Sequence, residues 1–521
     1  MGPQSGSRGT HRAWASWLVG LLALTVALSG CTGGQQQTAG QNQPASHALT
    51  IGATAEPPSM DPMAVAAAAG SQVMLYNVYE TLVKTDSNGD LQPLLAQRWS
   101  VSDDRTVYTF DLNPAARFAG GAPVNAEAVV KNIERVKTPS VASASDTTVA
   151  AKLVKQMSIV RSAEATNAHT VKVTLTRPSN TWLYDMSSTG GMIADPAQFS
   201  ALGTTTAGSG PYKLKQWNKG DSVVLERNAA YWGTPGRFDE VTFRYYTDPN
   251  AMNAAMLAGQ LDIISNLQAP DTISQFADPS RFKTIEGTTN GEVVLGLNNA
   301  SAPLKDVRVR QAIAQAIDKR ALVDTVWNGK GQVIGSMVVP TDPYYEDLTG
   351  INAYNPDHAK QLLAQAGYPN GLTLRLKPAA LPYATKSAQV IASQLKEVGI
   401  TAQIEELQFP NRWTDVVYTK ADYDMSIVAH VEARDLSTYA NPNYYWRYNN
   451  PEFTQLYTAA DQAPPDEYAA DMKKAARFLA EDAASVWLFD LPNLVITKPN
   501  ITGVGENAAS LSFDVTTIAA G

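Results

Sequence analysis

Val171, Val173 and Leu175 alternate with Lys172, Thr174 and Thr176, and Val241, Phe243 and Tyr245 alternate with Thr242 and Arg244. A period of two gives one apolar and one polar face, so both stretches predict half-buried strands. Between Asp306 and Trp327 the rhythm changes: Val309, Ala312, Ile313, Ala316 and Ile317 recur at the three- and four-residue steps of one helix face, which predicts a single core helix. Asn355, Pro356 and Gly367 bracket another helix. The amide accepts from the first free N–H groups, the proline ring is already set for the first turn, and the glycine tolerates the left-handed exit after Ala366.

From Leu372 to Leu407 the two periods follow each other. Leu372, Leu374 and Leu376 alternate, Ala388, Ile391, Leu395 and Val398 share a helical face that stops at Gly399, and Ile400, Ala402 and Ile404 alternate again. Strand, helix, strand is a βαβ unit, and its parallel strands imply an α/β fold with helices covering a sheet. No internal repeat and no low-complexity break divides residues 50–521, so the folding units are expected to interweave.

The N-terminus follows another logic. Arg8, His11 and Arg12 precede an uncharged apolar run from Trp17 to Leu28, which ends in Leu28-Ser29-Gly30-Cys31. The run is shorter than the roughly 20 residues a membrane helix needs, and the order basic, apolar, small is that of a secretion leader. Leu-Ser-Gly-Cys resembles the bacterial lipobox, so residues 1–30 are expected to be removed and Cys31 to carry lipid. Residues 31–47 are rich in Gly, Gln, Thr, Ser and Asn, too polar to offset ordering entropy, and predict a flexible tether.

Charge and composition narrow the function. The leader takes Arg8 and Arg12 and no acidic residue, moving the formal net charge from −8 to −10. Without a basic stripe, nucleic acid is not an expected partner. Cys31 is the one cysteine, so neither a disulfide nor a thiol nucleophile is available once it is lipidated. No G-x-S-x-G, P-loop or H-E-x-x-H occurs, and only His169, His358 and His430 lie beyond the tether, far apart in sequence. Ser280 to Lys283 and Ser393 to Lys396 match S-x-x-K, but without S-D-N and K-T-G partners they read as chance. The chain is expected to be no enzyme, with no cofactor and no resident metal.

A series of ordered segments carries a resemblance. They are Glu56-Pro57-Pro58-Ser59-Met60-Asp61-Pro62, Leu75 through Val83, Pro93-Leu94-Leu95-Ala96 with Trp99, Tyr108 through Leu112, and Phe118 through Val124. Gly208-Ser209-Gly210-Pro211-Tyr212, Arg227 through Trp232, Gly259 through Asp262, Asn298, Asp306 through Ala312 and Ala316-Ile317-Asp318 follow. Together they resemble extracellular solute-binding proteins of family 5, the receptors of peptide, nickel and related ABC importers. That resemblance implies an α/β, two-lobed periplasmic-binding-protein-like fold of the large cluster C type, with an extra subdomain on the first lobe. The expected division is 48–89, 207–294 and 495–521 for lobe I, 90–206 for its extra subdomain and 295–494 for lobe II, so that two chain crossings form a hinge. It implies a monomer outside the cell membrane, anchored by lipid, that hands a short peptide or similar solute to permease subunits.

In the family an aspartate following a lobe II strand commonly anchors the peptide ammonium. The corresponding stretch runs from Asp424 to Asp435, and Asp435 is the expected anchor. Glu432 could replace it, and Arg434 could receive a carboxylate through its planar fork. His430-Val431 stands where peptide binders often show Gly-Trp, and Leu381 precedes Pro382-Tyr383 where some dipeptide binders carry a basic residue. His430 keeps open a receptor for a nickel chelate, haem or another non-peptide solute; a non-transporting envelope sensor or scaffold is the further alternative. Tyr439 and Trp446, within an aromatic run from Tyr439 to Tyr448, are expected to form a side-chain pocket or to pack beneath the hinge. Glu56, from the first matched segment, completes the expected ligand-binding set.

Overall fold

A computed structural model describes residues 47–64, 68–138 and 153–521. The leader, Cys31 and the tether up to Ser46 lie outside them. The alternating segments join one mixed sheet, in the order 400–404, 372–376, 425–430, 283–297, 485–497, 263–264, 48–53, 240–245, 222–227 and 212–218, with the short strand Gln332–Val333 also paired to Ser485–Thr497. Strand Ala48–Ala53 runs parallel to Glu240–Tyr245 and to Ile263–Ile264. Leu372–Leu376 runs parallel to Ile400–Ile404, with helix Pro382–Glu397 crossing between them, as the βαβ pattern predicts.

The middle of the sheet is two long antiparallel strands, Lys283–Leu297 and Ser485–Thr497. Lys283–Thr288 pairs with Pro492–Thr497 in one half, and Glu292–Gly296 pairs with Ser485–Asp490 in the other. Their register slips between Thr288 and Glu292. A slip inserts unpaired residues and increases local twist, so the two halves of the sheet need not share one plane. The chain passes from one half to the other along these two strands.

Each half has its own core. In the half that contains the N-terminal strand, Leu49, Ile51, Val223, Val241 and Phe243 are buried together. In the other half, Val309, Ile313, Leu363, Ile391 and Ile427 pack helices onto one face of the sheet, while Trp413, Tyr423, Tyr439, Tyr445, Trp446 and Trp487 fill the opposite face. A separate antiparallel sheet, in the order 96–101, 107–112, 170–175 and 160–167, packs Phe110, Val171 and Val173 against Val129 and Ile133 of helix Ala126–Lys137. The helix starts where Asn125 accepts from the backbone N–H of Ala128.

Helix Pro356–Gln365 has the expected ends: Asn355 accepts from the N–H of His358, and Gly367 adopts φ +92°. The single helix expected from Asp306 to Trp327 is instead two, Val307–Gln315 and Lys319–Trp327. Asp306 caps the first through Arg308 N–H, and Asp318 caps the second through Ala321 N–H. Ala316 and Ile317 stay buried across the break, so the apolar rhythm continues where the helix does not. Periodicity reports the buried face, and a side chain competing for backbone N–H groups decides where a helix restarts.

Candidate functional site

Strand Met425–His430 lies antiparallel to Lys283–Leu297, and the register sets His430 opposite Glu292. Beyond His430 the chain turns sharply: Arg434 takes a left-handed φ of +60°, and a tight 3-10 turn runs from Asp435 to Ala440. That turn folds Asp435 back onto the end of the strand. His430 Nδ1 lies 2.9 Å from Asp435 Oδ2, and His430 Nε2 lies 2.9 Å from the Tyr445 hydroxyl. With Nδ1–H donating to the carboxylate, the neutral ring's Nε2 accepts from Tyr445.

Asp435 is 7% exposed, and its Oδ1 is buried with no hydrogen-bond partner. Three charged residues in five positions after a strand would suit a solvated surface loop, but Arg434 and Asp435 are buried and Glu432 is half-buried. Arg434 Nε lies 3.6 Å from Asp342 Oδ1, and its guanidinium lies over the Tyr184 ring at 3.2 Å from the centroid. Burial pushes the Asp342 carboxyl up to about 6, with the charge of Asp435 adding to the rise and Arg434 opposing it. Burial also raises Glu292 well above the usual carboxylate range, reinforced by Asp435, and raises Asp490 to about 7. Glu292, Asp342 and Asp435 thus share one buried neighbourhood, in which proton retention by Glu292 and Asp342 limits the negative charge and Arg434 faces Asp342.

A cavity of about 550 Å³ opens onto that neighbourhood. Glu432, Arg434, Asp435 and Tyr444 line it from one stretch of the chain, and Lys155, Gln156, Tyr184 and Ser187 line it from another. Asn290, in the register slip of the crossing strands, and Ala509 to Leu511, from the C-terminal stretch, complete the wall. Burial holds the Lys155 ammonium below its usual range. The volume is that of a small-molecule site, which commonly measures about 300 to 1,000 Å³.

The expected residues divide. Asp435, Glu432 and Arg434 line the cavity together, and His430 supports Asp435 from behind. Tyr439 and Trp446 do not line it; they stack on each other at 4.8 Å between ring centroids, buried in the aromatic core. Tyr444 is the ring of that run that reaches the cavity. Glu56 is elsewhere: it accepts from Trp217 Nε1 at 2.6 Å and from the Gly220 N–H at 2.9 Å, and is not a wall residue. Lys155, Tyr184 and Asn290 were not anticipated, because each reaches the cavity from a segment far from Asp435 in sequence. Ser280 Oγ donates to Asp278 within its own turn, and Ser393 lies inside helix Pro382–Glu397.

His430, Glu432 and Asp435 place one potential metal-ligating atom each within 4.8 Å of one another. The donor set suits a borderline divalent ion. Both imidazole nitrogens are already engaged, so an ion would have to displace Asp435 or Tyr445. No helix among the described residues is long and apolar enough to cross a membrane.

This architecture has close parallels. The "Probable D,D-dipeptide-binding periplasmic protein DdpA" of Escherichia coli K12 is 28% identical over 493 residues, covering 86% of this chain and 90% of that protein. The periplasmic binding protein DppA of Helicobacter pylori, solved with the peptide STSA, superposes with a TM-score of 0.78 at 21% identity over 91% of this chain and 98% of its own. NikA of Brucella suis, solved with Fe(III)-EDTA, gives 0.79 at 22% identity over 91% of this chain and 100% of its own. Both solved neighbours share the two-lobed periplasmic-binding fold. The model of the middle region of the bacterial extracellular solute-binding proteins, family 5, matches residues 90–453, and this chain belongs to that family.

Proposed function

We propose that this chain is the solute receptor of an ABC importer and that it captures short peptides by their charged ends. The observation that carries the reading is Asp435 Oδ1, a buried carboxylate oxygen without a partner at the wall of the cavity. A peptide ammonium would supply the missing donor. An ammonium and a carboxylate about 4 Å apart attract by about 4 kcal/mol at an effective dielectric near 20, before desolvation is subtracted. Lys155, on the subdomain wall, offers the opposite charge to a peptide carboxylate. DdpA and DppA, by their descriptions, bind peptides, which favours the same reading.

Within this proposal lobe I comprises 48–89, 207–294 and 495–521, its subdomain 90–206 and lobe II 295–494. The chain stands outside the membrane as a monomer, held by lipid on Cys31 and docking on permease subunits. It carries out no hydrolysis, since neither Ser280 nor Ser393 is set up as a nucleophile. Calorimetry with trialanine and N-acetyl-trialanine, on the parent and on Asp435→Asn, forms a double-mutant cycle. The free-amine peptide should lose affinity in the variant and the acetylated one should lose little. Equal losses would remove Asp435 from the site.

A second reading rests on His430, Glu432 and Asp435 as metal-ligating groups: a nickel chelate, haem or another non-peptide solute in the same cavity. Native mass spectrometry of protein isolated from its own host separates the two. A co-purified metal chelate or tetrapyrrole without peptide would overturn the peptide reading.

A further inference from the structure

Asp461 lies in the last turn of helix Pro451–Gln462 and is 1% exposed. Its carboxylate is filled by one segment of the subdomain. Arg177 Nη1 donates to Oδ2 at 2.6 Å. Oδ1 receives Ser179 Oγ at 2.9 Å, the Asn180 N–H at 3.1 Å, the Thr181 N–H at 3.2 Å and Thr181 Oγ1 at 2.9 Å.

The backbone of the same helix end is satisfied from the subdomain too. The Asn180 N–H donates to the Asp461 carbonyl at 2.8 Å, and Asn180 Nδ2 donates to the carbonyls of Ala460 and Ala463 at 3.2 and 2.9 Å. Arg105 donates to the carbonyls of Gln462 and Ala463. The last carbonyls of a helix have no partner inside it, and cations near that end are favoured by the helix dipole. Here the helix C-terminus belongs to the half of the molecule that presents Asp435, and its cap belongs to the subdomain on the other wall.

Arg177, Ser179, Thr181 and Asp461 themselves line the cavity. Every contact just described is protein to protein and requires no solute. Opening would exchange these contacts for water, so each contributes only a modest net stabilisation of the closed form, but the set is made and broken together. We infer that the Asp461 clasp holds the cleft shut without solute, and that its opening governs how fast solute enters and leaves. This inference rests on the cavity being the solute cleft. Closure independent of solute lowers the open, binding-competent fraction and lengthens the residence of what is trapped.

Hydrogen exchange read by mass spectrometry tests it on the full chain, refolded to remove co-purified solute. In the parent, the Asn180 and Thr181 amides should exchange slowly with no peptide added. Asp461→Ala should speed their exchange by about tenfold or more while the crossing strands Lys283–Leu297 and Ser485–Thr497 keep their protection. Arg177→Ala, at a side chain 42% exposed and outside both cores, should shift the same amides in the same direction and serves if Asp461→Ala does not fold. Trialanine should leave Asp461→Ala about tenfold faster than the parent. Fast exchange of these amides in the solute-free parent, or unchanged exchange in the variants, would overturn the clasp. If trialanine fails to bind while the exchange results hold, the peptide reading fails and the clasp stands.

Discussion

His430 Nδ1 and Asp435 Oδ2 are 2.9 Å apart, and that contact fixes where the other oxygen of Asp435 points. The carboxylate has two duties: one oxygen ties the turn to the strand end, and the other stands without a partner where the cavity begins.

Asp435 therefore contributes to folding as well as to binding. Asp435→Asn keeps an oxygen and an amide at the site, and free-amine peptide affinity should fall by about 2 to 5 kcal/mol, the cost of truncating one member of a buried charged pair. Asp435→Ala should also lower folding stability by about 1 to 3 kcal/mol, because it leaves a buried His430 ring nitrogen unsatisfied. Urea unfolding of both variants measures the difference. An alanine variant as stable as the parent would mean the His430 contact is idle.

Stability should fall as the solution passes from mildly acidic to mildly basic. Burial raises Asp342 to about 6 and Asp490 and Glu80 to about 7. Unfolded, such groups lose their protons near pH 4. Between about pH 4 and pH 7 the folded chain holds protons that the unfolded chain has released, so this contribution is complete below that window and lost above it. Carboxylates shifted the other way, such as Asp111 and Asp306, titrate below the window and do not cancel it. The urea midpoint should be higher at pH 5 than at pH 8, by less in Asp490→Asn. A midpoint that rises with pH would contradict the assignment.

Gly208 is a packing requirement. A Cβ there would fall inside the van der Waals shell of the Val78 carbonyl oxygen, a backbone atom with no room to retreat. Its neighbour Ser209 donates to Glu80 at 2.7 Å, and Glu80 also receives Tyr231 and Trp232. Gly208→Ala should cost about 3 kcal/mol or more, whereas the same change at Gly203, where the space is open, should stay within about 0.5 kcal/mol. Thermal unfolding of the two variants decides it.

Cys31→Ser should leave the fold unchanged and free the protein from membranes, because lipid on Cys31 is the one anchor we propose. Fractionation of host cells followed by detergent extraction checks it. Persistent attachment of the serine variant would point to an uncleaved leader.

The alternating valines, the βαβ unit from Leu372 to Ile404 and the Asn355 cap are local features, each written within one segment, and the sequence determined them alone. So did the ordered segments that carry the family resemblance, since they are caps, turns and core positions fixed by short-range geometry. Asp435, Glu432 and Arg434, expected from the family resemblance, follow one strand and line one cavity. The rest of the site was not legible in the sequence. Lys155, Tyr184, Asn290 and Asp461 meet across the cavity from segments whose spacing along the chain says nothing about their separation in space. Whether Trp446 lines a pocket or fills a core depends on which face of the sheet its segment covers, whereas the helix break at Asp318 is a local cap like that of Asn355, masked in the pattern by the apolar rhythm of Ala316 and Ile317 that runs across it. Local pattern sets which elements form; which side chains share a cavity is decided by packing between elements distant in the chain.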